Sequence, residues 1–159
     1  MRIRATQTKD WMLLRQVRLA ALLDTPTAFA VSHQAAAAYS DEQWKERASS
    51  ARTEFWLAFE QDRPVAMVGA TVSSAQRFSL IGMWVEPAAR GSGVAAQLVD
   101  AVKSRATEKG FDRVYLEVST DNASASNFYL RQGFAFLDEW EPLDSHPHIR
   151  VQTMLWIEN

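Results

Sequence analysis

Cysteine is absent from all 159 residues. That absence excludes a disulfide framework, thiolate catalysis and a cysteine-ligated zinc, and it fits a reducing compartment, so the cytoplasm is the expected location. Histidine is scarce. The pair His146 and His148 brackets Pro147 with no third ligand pattern nearby, and it reads as surface loop, with no metal expected. A block of one charge is also lacking: Lys and Arg number 17 against 19 Asp and Glu, a net charge of −2. Neither sign is segregated, which argues against a nucleic-acid groove or a polybasic membrane patch and leaves a small molecule or a peptide end as the expected partner. Long apolar runs are missing too. The stretch Leu19 to Ala38 is broken by Asp24, Pro26, His33 and Gln34, so it is no spanning helix of about 20 apolar residues. Met1 to Leu14 lacks the apolar core and small-residue cleavage site of a signal peptide, so a soluble mature chain is expected.

What is present is enough for a single domain over residues 1–159, since a chain of about 150 residues buries roughly 68 to 70% of its unfolded surface. No internal repeat is found. Met1 to Thr6 reads as a short strand. Trp11, Leu14, Val17 and Ala21 recur at helical spacing over Asp10 to Leu23, with Asp10 as the N-cap and Asp24-Thr25-Pro26 as the stop. A loop is expected next, then a helix over Ser40 to Ala48 with Ser40 and Gln43 as a capping box and Trp44 on its inner face. From Glu54 the pattern changes. Glu54 to Glu60, Val65 to Ser73 and Phe78 to Val85 are rich in β-branched and aromatic residues and separated by turn chemistry, which predicts three adjacent antiparallel strands. Val94 to Thr107 carries an apolar stripe closed by Gly110, Arg113 to Val118 reads as a strand, Ala123 to Gln132 as a helix closed by Gly133, and Val151 to Ile157 as a last strand. The strand-helix-strand passage from Ile81 to Val118 implies one parallel pair in a mixed α/β sheet with helices on its faces, and a ligand at the carboxyl ends of that pair.

Between that strand and the best helix lies Arg90-Gly91-Ser92-Gly93-Val94-Ala95. Two glycines at a helix N-terminus leave backbone N–H groups bare, and the helix dipole adds about half a positive charge, which suits a pyrophosphate. A plain tight turn explains the same glycines. Gly91 to Ala96 also fits the dinucleotide fingerprint, with Glu117 or Asp121 as the ribose-binding acid, but the chain after Asp121 is too short for a second βαβ half. No Gly-Lys-Ser/Thr follows, which excludes a Walker A loop.

A second constellation follows the parallel strand: Asn122, Ala125, Phe128, Tyr129, Gly133 and Phe134. Here the chain resembles the GCN5-related N-acetyltransferases. Their loop, Gln/Arg-x-x-Gly-x-Gly/Ala, is matched by Arg90, Gly93 and Ala95, and their Asn-x-x-Ala-x-x-Phe/Leu-Tyr-x-x-x-Gly-Phe segment by the residues just named, in the family's order and at about its distance. The resemblance implies a single-domain acetyltransferase fold, mostly antiparallel and twisted, whose parallel pair forms the acetyl-CoA cleft. It assigns the pyrophosphate to the backbone of Arg90, Gly91, Ser92, Gly93, Val94 and Ala95, and the pantetheine arm and acetyl carbonyl to main-chain groups around Trp84 and Val85. Asn122, Ser126 and Tyr129 complete the expected cofactor contacts.

The implied reaction is direct attack of an amine on the thioester. Tyr129 would protonate the departing sulfur. A primary amine of pKa ~10.4 is neutral only about once in 10³ molecules at pH 7, a penalty of roughly 4 to 5 kcal/mol, so a general base is useful. Glu117, in Leu116-Glu117-Val118 and twelve residues before Tyr129, resembles the base of bacterial enzymes that acetylate the N-terminal alanine of a ribosomal protein. Histone-acetylating members carry a glutamate within the strand before the loop; Phe78 to Val85 has no carboxylate, and Glu86 at its end is the second choice. Phe29, Tyr39, Trp44 and Trp140 would either line an acceptor pocket or fill core. Asp138, Glu139, Glu141 and Asp144 suit a cationic amine or belong to a solvated loop. The expected acceptor is a small-molecule amine or a peptide N-terminus, with exposed strand edges that could pair in a homodimer. The alternative is a non-catalytic CoA-binding sensor or interaction domain of the same fold; a nucleotide-binding module is more distant.

Overall fold

The computed structural model describes all of residues 1–159. The chain runs from β1 (Arg2–Ala5) through α1 (Trp11–Asp24), α2 (His33–Ala37) and α3 (Asp41–Ala48) into β2 (Glu54–Glu60), β3 (Arg63–Val72) and β4 (Phe78–Val85). It continues with α4 (Val94–Glu108), β5 (Arg113–Ser119), α5 (Ala123–Arg131), β6 (Ala135–Leu143) and β7 (His146–Ile157). The seven strands form one sheet in the order β1-β2-β3-β4-β5-β7-β6. Every neighbouring pair is antiparallel except β4 and β5.

Strand β2 shows why helices cover both faces. Phe55, Leu57 and Phe59 point into a core shared with α1, α2 and α3, while Trp56 and Ala58 point into the opposite core, under α4 and α5. A period of two therefore feeds two apolar layers, and each fully buried large side chain contributes roughly 1.5–3 kcal/mol. Val94, Leu98, Val99, Val102 and Ala106 form the buried stripe of α4, as their spacing predicts. Ser40 and Gln43 close the expected capping box reciprocally, at 3.2 and 2.9 Å. No helix is long and apolar enough to cross a membrane.

Three segments differ from expectation. The stretch after Phe134 is strand β6, not loop, and it pairs with a β7 that starts at His146, so His146 and His148 belong to a strand. Most of β6 is exposed because it is the sheet's edge, and a strand wetted on both faces has no apolar alternation to announce it. Within the expected loop, Ser32 caps the short helix α2, its Oγ accepting from the Ala35 N–H at 3.1 Å. Asp10 stands just before α1 but caps no helical amide there. Its carboxylate accepts from the Gln7 N–H at 2.7 Å and from the Arg4 guanidinium at 2.8 and 3.0 Å.

Candidate active site

The parallel pair is barely a pair. Ser79 and Tyr115 form its one register contact, after which β4 and β5 part. A bulge turns β4 away: Met67 pairs with Trp84 and Gly69 with Ile81, so Gly82 and Met83 together oppose Val68 alone. Gly82 takes φ +59°, a left-handed conformation that other residues adopt only under strain. Between the parted strands lies a narrow cavity of about 90 Å³, walled by Leu80 to Met83 and Leu116 to Ser119 and closed by Asn122, Ala125 and Tyr129 of the α5 region. It adjoins a wider cleft of about 620 Å³, and Phe29, Gly82 and Glu117 border both. Two shallow concavities near Phe59 to Pro64 are more open and line no comparable group of acids, phenols or bare amides.

Beyond β4 comes a run of unpaired amides. The N–H groups of Gly91, Ser92, Gly93, Val94, Ala95 and Ala96 reach no acceptor in the protein, and the Gln97 N–H to Gly93 carbonyl bond is the first of α4. Gly91 and Gly93 hold φ +82° and +86°, and a Cβ on either would meet nothing within 4 Å. The dihedrals, not crowding, require glycine here. A non-glycine residue in that conformation costs roughly 1–2 kcal/mol.

Tyr129 and Glu117 meet at the narrow cavity. The Tyr129 ring packs edge-on against Phe128 and Phe134, with centroids 5.2 and 5.8 Å away. Its hydroxyl bonds no protein group, and burial pushes its pKa well above that of a free phenol. Glu117 is exposed to solvent, and it lines both cavities, whose walls desolvate it in part. That partial desolvation raises its pKa, and the charges of Glu141, Asp144 and Glu139 add to the rise. Glu86, by contrast, is clamped by both Arg63 nitrogens at 2.7 Å, which holds its pKa down, and it borders neither cavity.

The sequence model of the acetyltransferase (GNAT) family matches residues 18–134, most of the chain. The chain belongs to that family. Among curated relatives of this GNAT chain, a streptothricin acetyltransferase of Streptomyces lavendulae is 35% identical over 83 residues, covering 51% of the chain and 44% of the relative. Matches to curated relatives span between 37% and 44% of their lengths. A GNAT acetyltransferase from Streptococcus pneumoniae superposes with TM-score 0.80 at 19% identity over 99% of both chains. A structure from Bacillus anthracis, assigned as a streptothricin acetyltransferase and holding acetyl coenzyme A, gives TM-score 0.64 at 16% identity over 72% of this chain and 67% of the other.

Within this GNAT domain the remaining expected residues are scattered. Asn122 caps α5, its Oδ1 accepting from the Ala125 N–H at 3.1 Å, while its side also borders the narrow cavity. Ser126 sits half-buried on the first turn of α5, outside both cavities. Trp84 and Val85 lie on β4 just past the cavity wall, toward the glycine loop, with both side chains in the core. The Val85 carbonyl already accepts from Arg90 Nε at 2.9 Å, leaving one lone pair. Ser92 Oγ donates to the Ala89 carbonyl at 2.6 Å, Val94 is core, and Ala95 packs against it. Of the four aromatics, Phe29 alone lines the cleft; Trp44 is core, Tyr39 packs on it, and Trp140 is exposed on β6 beneath Arg150. Glu139 and Glu141 line the cleft, and Arg77 holds Glu139 at 2.7 and 3.2 Å.

Asp24 was visible in sequence only as a helix stop. Its carboxylate accepts from the Trp84 indole at 3.0 Å and from Arg90 at 2.7 Å, and these two bonds hold its pKa down. It therefore fastens the end of α1 to β4 and to the first residue of the glycine loop. Asp24→Ala is expected to weaken acetyl-CoA binding about threefold to tenfold in calorimetry with kcat nearly unchanged, because exposed charge-assisted bonds orient more than they stabilise. An unchanged dissociation constant would make the contact merely structural.

Proposed function

We propose that this chain moves an acetyl group from acetyl-CoA to a primary amine by direct attack in a ternary complex. One arrangement carries the reading: β4, which walls the cavity that Tyr129 and Glu117 share, leads on to bare amides at the start of α4. The amides of Gly91 to Ala96, which reach no acceptor in the protein, fit a pyrophosphate. Past Ser79 the inner edge of β4 has no strand partner, so it can pair with the amides of a pantetheine arm as an added strand would. The acetyl-CoA held by the Bacillus anthracis neighbour and the names of the curated relatives support the same chemistry.

Acetyl-CoA supplies a thioester whose carbonyl a neutral amine can attack with departure of the thiol. Glu117, its proton affinity raised by the cleft, takes the proton that the amine must lose. Tyr129 stays protonated across the working pH range and offers its O–H to the departing sulfur. Outright proton transfer from so weak an acid requires that the thiolate be desolvated in the same cavity, which raises its own affinity for the proton.

The test is release of free CoA thiol with a panel of amino acids, peptide N-termini, polyamines and aminoglycosides, together with calorimetry comparing acetyl-CoA and NAD. Acetyl-CoA is expected to bind and at least one amine class to be consumed. Binding without any turnover would favour the non-catalytic CoA sensor, and preference for NAD would remove the assignment.

A further inference from the structure

Arg18 is a half-buried cation without a partner. It sits on α1 between Val17, in the core, and Leu19, packed against it. Its guanidinium enters no hydrogen bond or ion pair, and its Nη1 is buried and unsatisfied. The group stands over the Phe29 ring at 5.2 Å, and a Cβ on Gly82 would lie 2.8 Å from Nη1. The bulge glycine thus leaves room for the guanidinium against β4. Burial lowers the Arg18 pKa, with Tyr39 opposing and Arg47 adding to the effect, but arginine remains a cation. Other partly buried arginines are matched, Arg4 by Asp10 and Arg105 by Glu54. An unmatched one is costly unless a ligand completes it.

The wide cleft that Arg18 lines tells what the ligand carries. Glu117, Glu139 and Glu141 line the same cleft; Arg77 pairs with Glu139, which leaves Glu117 and Glu141 without cations. A free cation and free anions therefore line one cleft, which adjoins the cavity that Tyr129 lines. We propose that the acceptor is a zwitterion, an amine with a carboxylate on a neighbouring carbon and in the simplest case an α-amino acid, its carboxylate on Arg18 and its nitrogen toward Glu117. The proposal rests on the acetyl-transfer reading of this cleft. A guanidinium matches a carboxylate in charge and in hydrogen-bond donors, and Arg18 lines the cleft beside Gly82, whose missing side chain gives Nη1 its room. A polycation would meet like charge at Arg18. A peptide N-terminus would bring a neutral amide where the cation needs an anion, leaving it unpaired.

Matched pairs decide it: the twenty L-α-amino acids and their primary amides, assayed for thiol release from acetyl-CoA. For the preferred side chain the free acid is expected to exceed its amide in kcat/KM by about 10²-fold or more. Arg18→Gln should shrink that ratio below about tenfold through KM for the acid, and Arg18→Lys should recover part of it. Because the change removes an unpaired, half-buried charge, Arg18→Gln should melt at or above the wild-type temperature, which separates lost recognition from lost folding. Amides, polyamines or aminoglycosides used as well as the acids overturn the proposal, as does a preference that survives Arg18→Gln. Calorimetry of N-acetyl-L-amino acids against their amides, with saturating CoA, reads the anion site without turnover. Acid-selective binding lost in Arg18→Gln sustains the site even where no amine is acetylated, and that result counts against acetyl transfer alone. Equal or absent binding of acids and amides overturns it.

Discussion

Tyr129→Phe is expected to slow acetyl transfer by roughly one to two decades in kcat while the acetyl-CoA dissociation constant moves less than about twofold, the lower range for losing one positioned proton donor. The substitution is clean because the hydroxyl has no partner inside the protein, whereas the ring contacts with Phe128 and Phe134 survive it. Stability gives an independent readout. The folded-state pKa of Tyr129 lies above the unfolded value of about 10, so the native state carries no penalty below that pH and loses stability as pH rises beyond it. The phenylalanine variant should therefore melt like wild type at neutral pH and resist alkaline unfolding better. Full turnover in the variant would take Tyr129 out of the chemistry and leave the departing sulfur to water or to the incoming amine's own proton.

The elements that position Tyr129 were legible in sequence because their signals are local. Asn122 and Gly133 bound α5 as cap and stop, and the apolar stripe of α4 and the alternation of β2 follow directly from period. Both glycine-loop amides and the Asn122 cap required no information from elsewhere in the chain. Contacts across long separations were hidden. Asp24 reads as a helix breaker until Trp84 and Arg90 are folded against it, and Arg18 reads as an ordinary helix charge until Phe29 and Gly82 enclose it. The bulge is an intermediate case. A glycine inside a strand pattern signals one in principle, but only the pairing of β3 with β4 reveals that Gly82 bends the strand and so opens the cleft. Edge strand β6 was missed for a different reason: with most of its side chains in water, Asp138, Glu139 and Glu141 are tolerated and no apolar face marks the strand. That error mattered, because β6 carries Glu139 and Glu141, which line the cleft along with Arg18.

Glu117→Gln should separate catalysis from stability by moving them in opposite directions. As the base for the amine, Glu117 is expected to be worth about 10²-fold in kcat/KM near neutral pH, and its removal should abolish the acid limb of the pH profile. That limb belongs above the ordinary carboxylate range, since the enclosing cleft and then Glu141, Asp144 and Glu139 all raise the Glu117 pKa. Glu141→Gln, which removes the largest of those charges, should move the limb to lower pH without abolishing it. The stability sign follows from the same shift. A folded-state pKa above the unfolded value of about 4.3 leaves stability intact below that pH and erodes it as pH rises through the folded pKa. Glutamine mimics the protonated form, so the variant should melt above wild type at pH 7, with the difference shrinking toward zero near pH 4. A residue kept for packing would lose stability on substitution and leave the pH profile alone. If Glu117→Gln instead retains both the wild-type rate and its acid limb, the proton leaves by water, and the cleft's negative wall serves only to hold the cationic end of the acceptor.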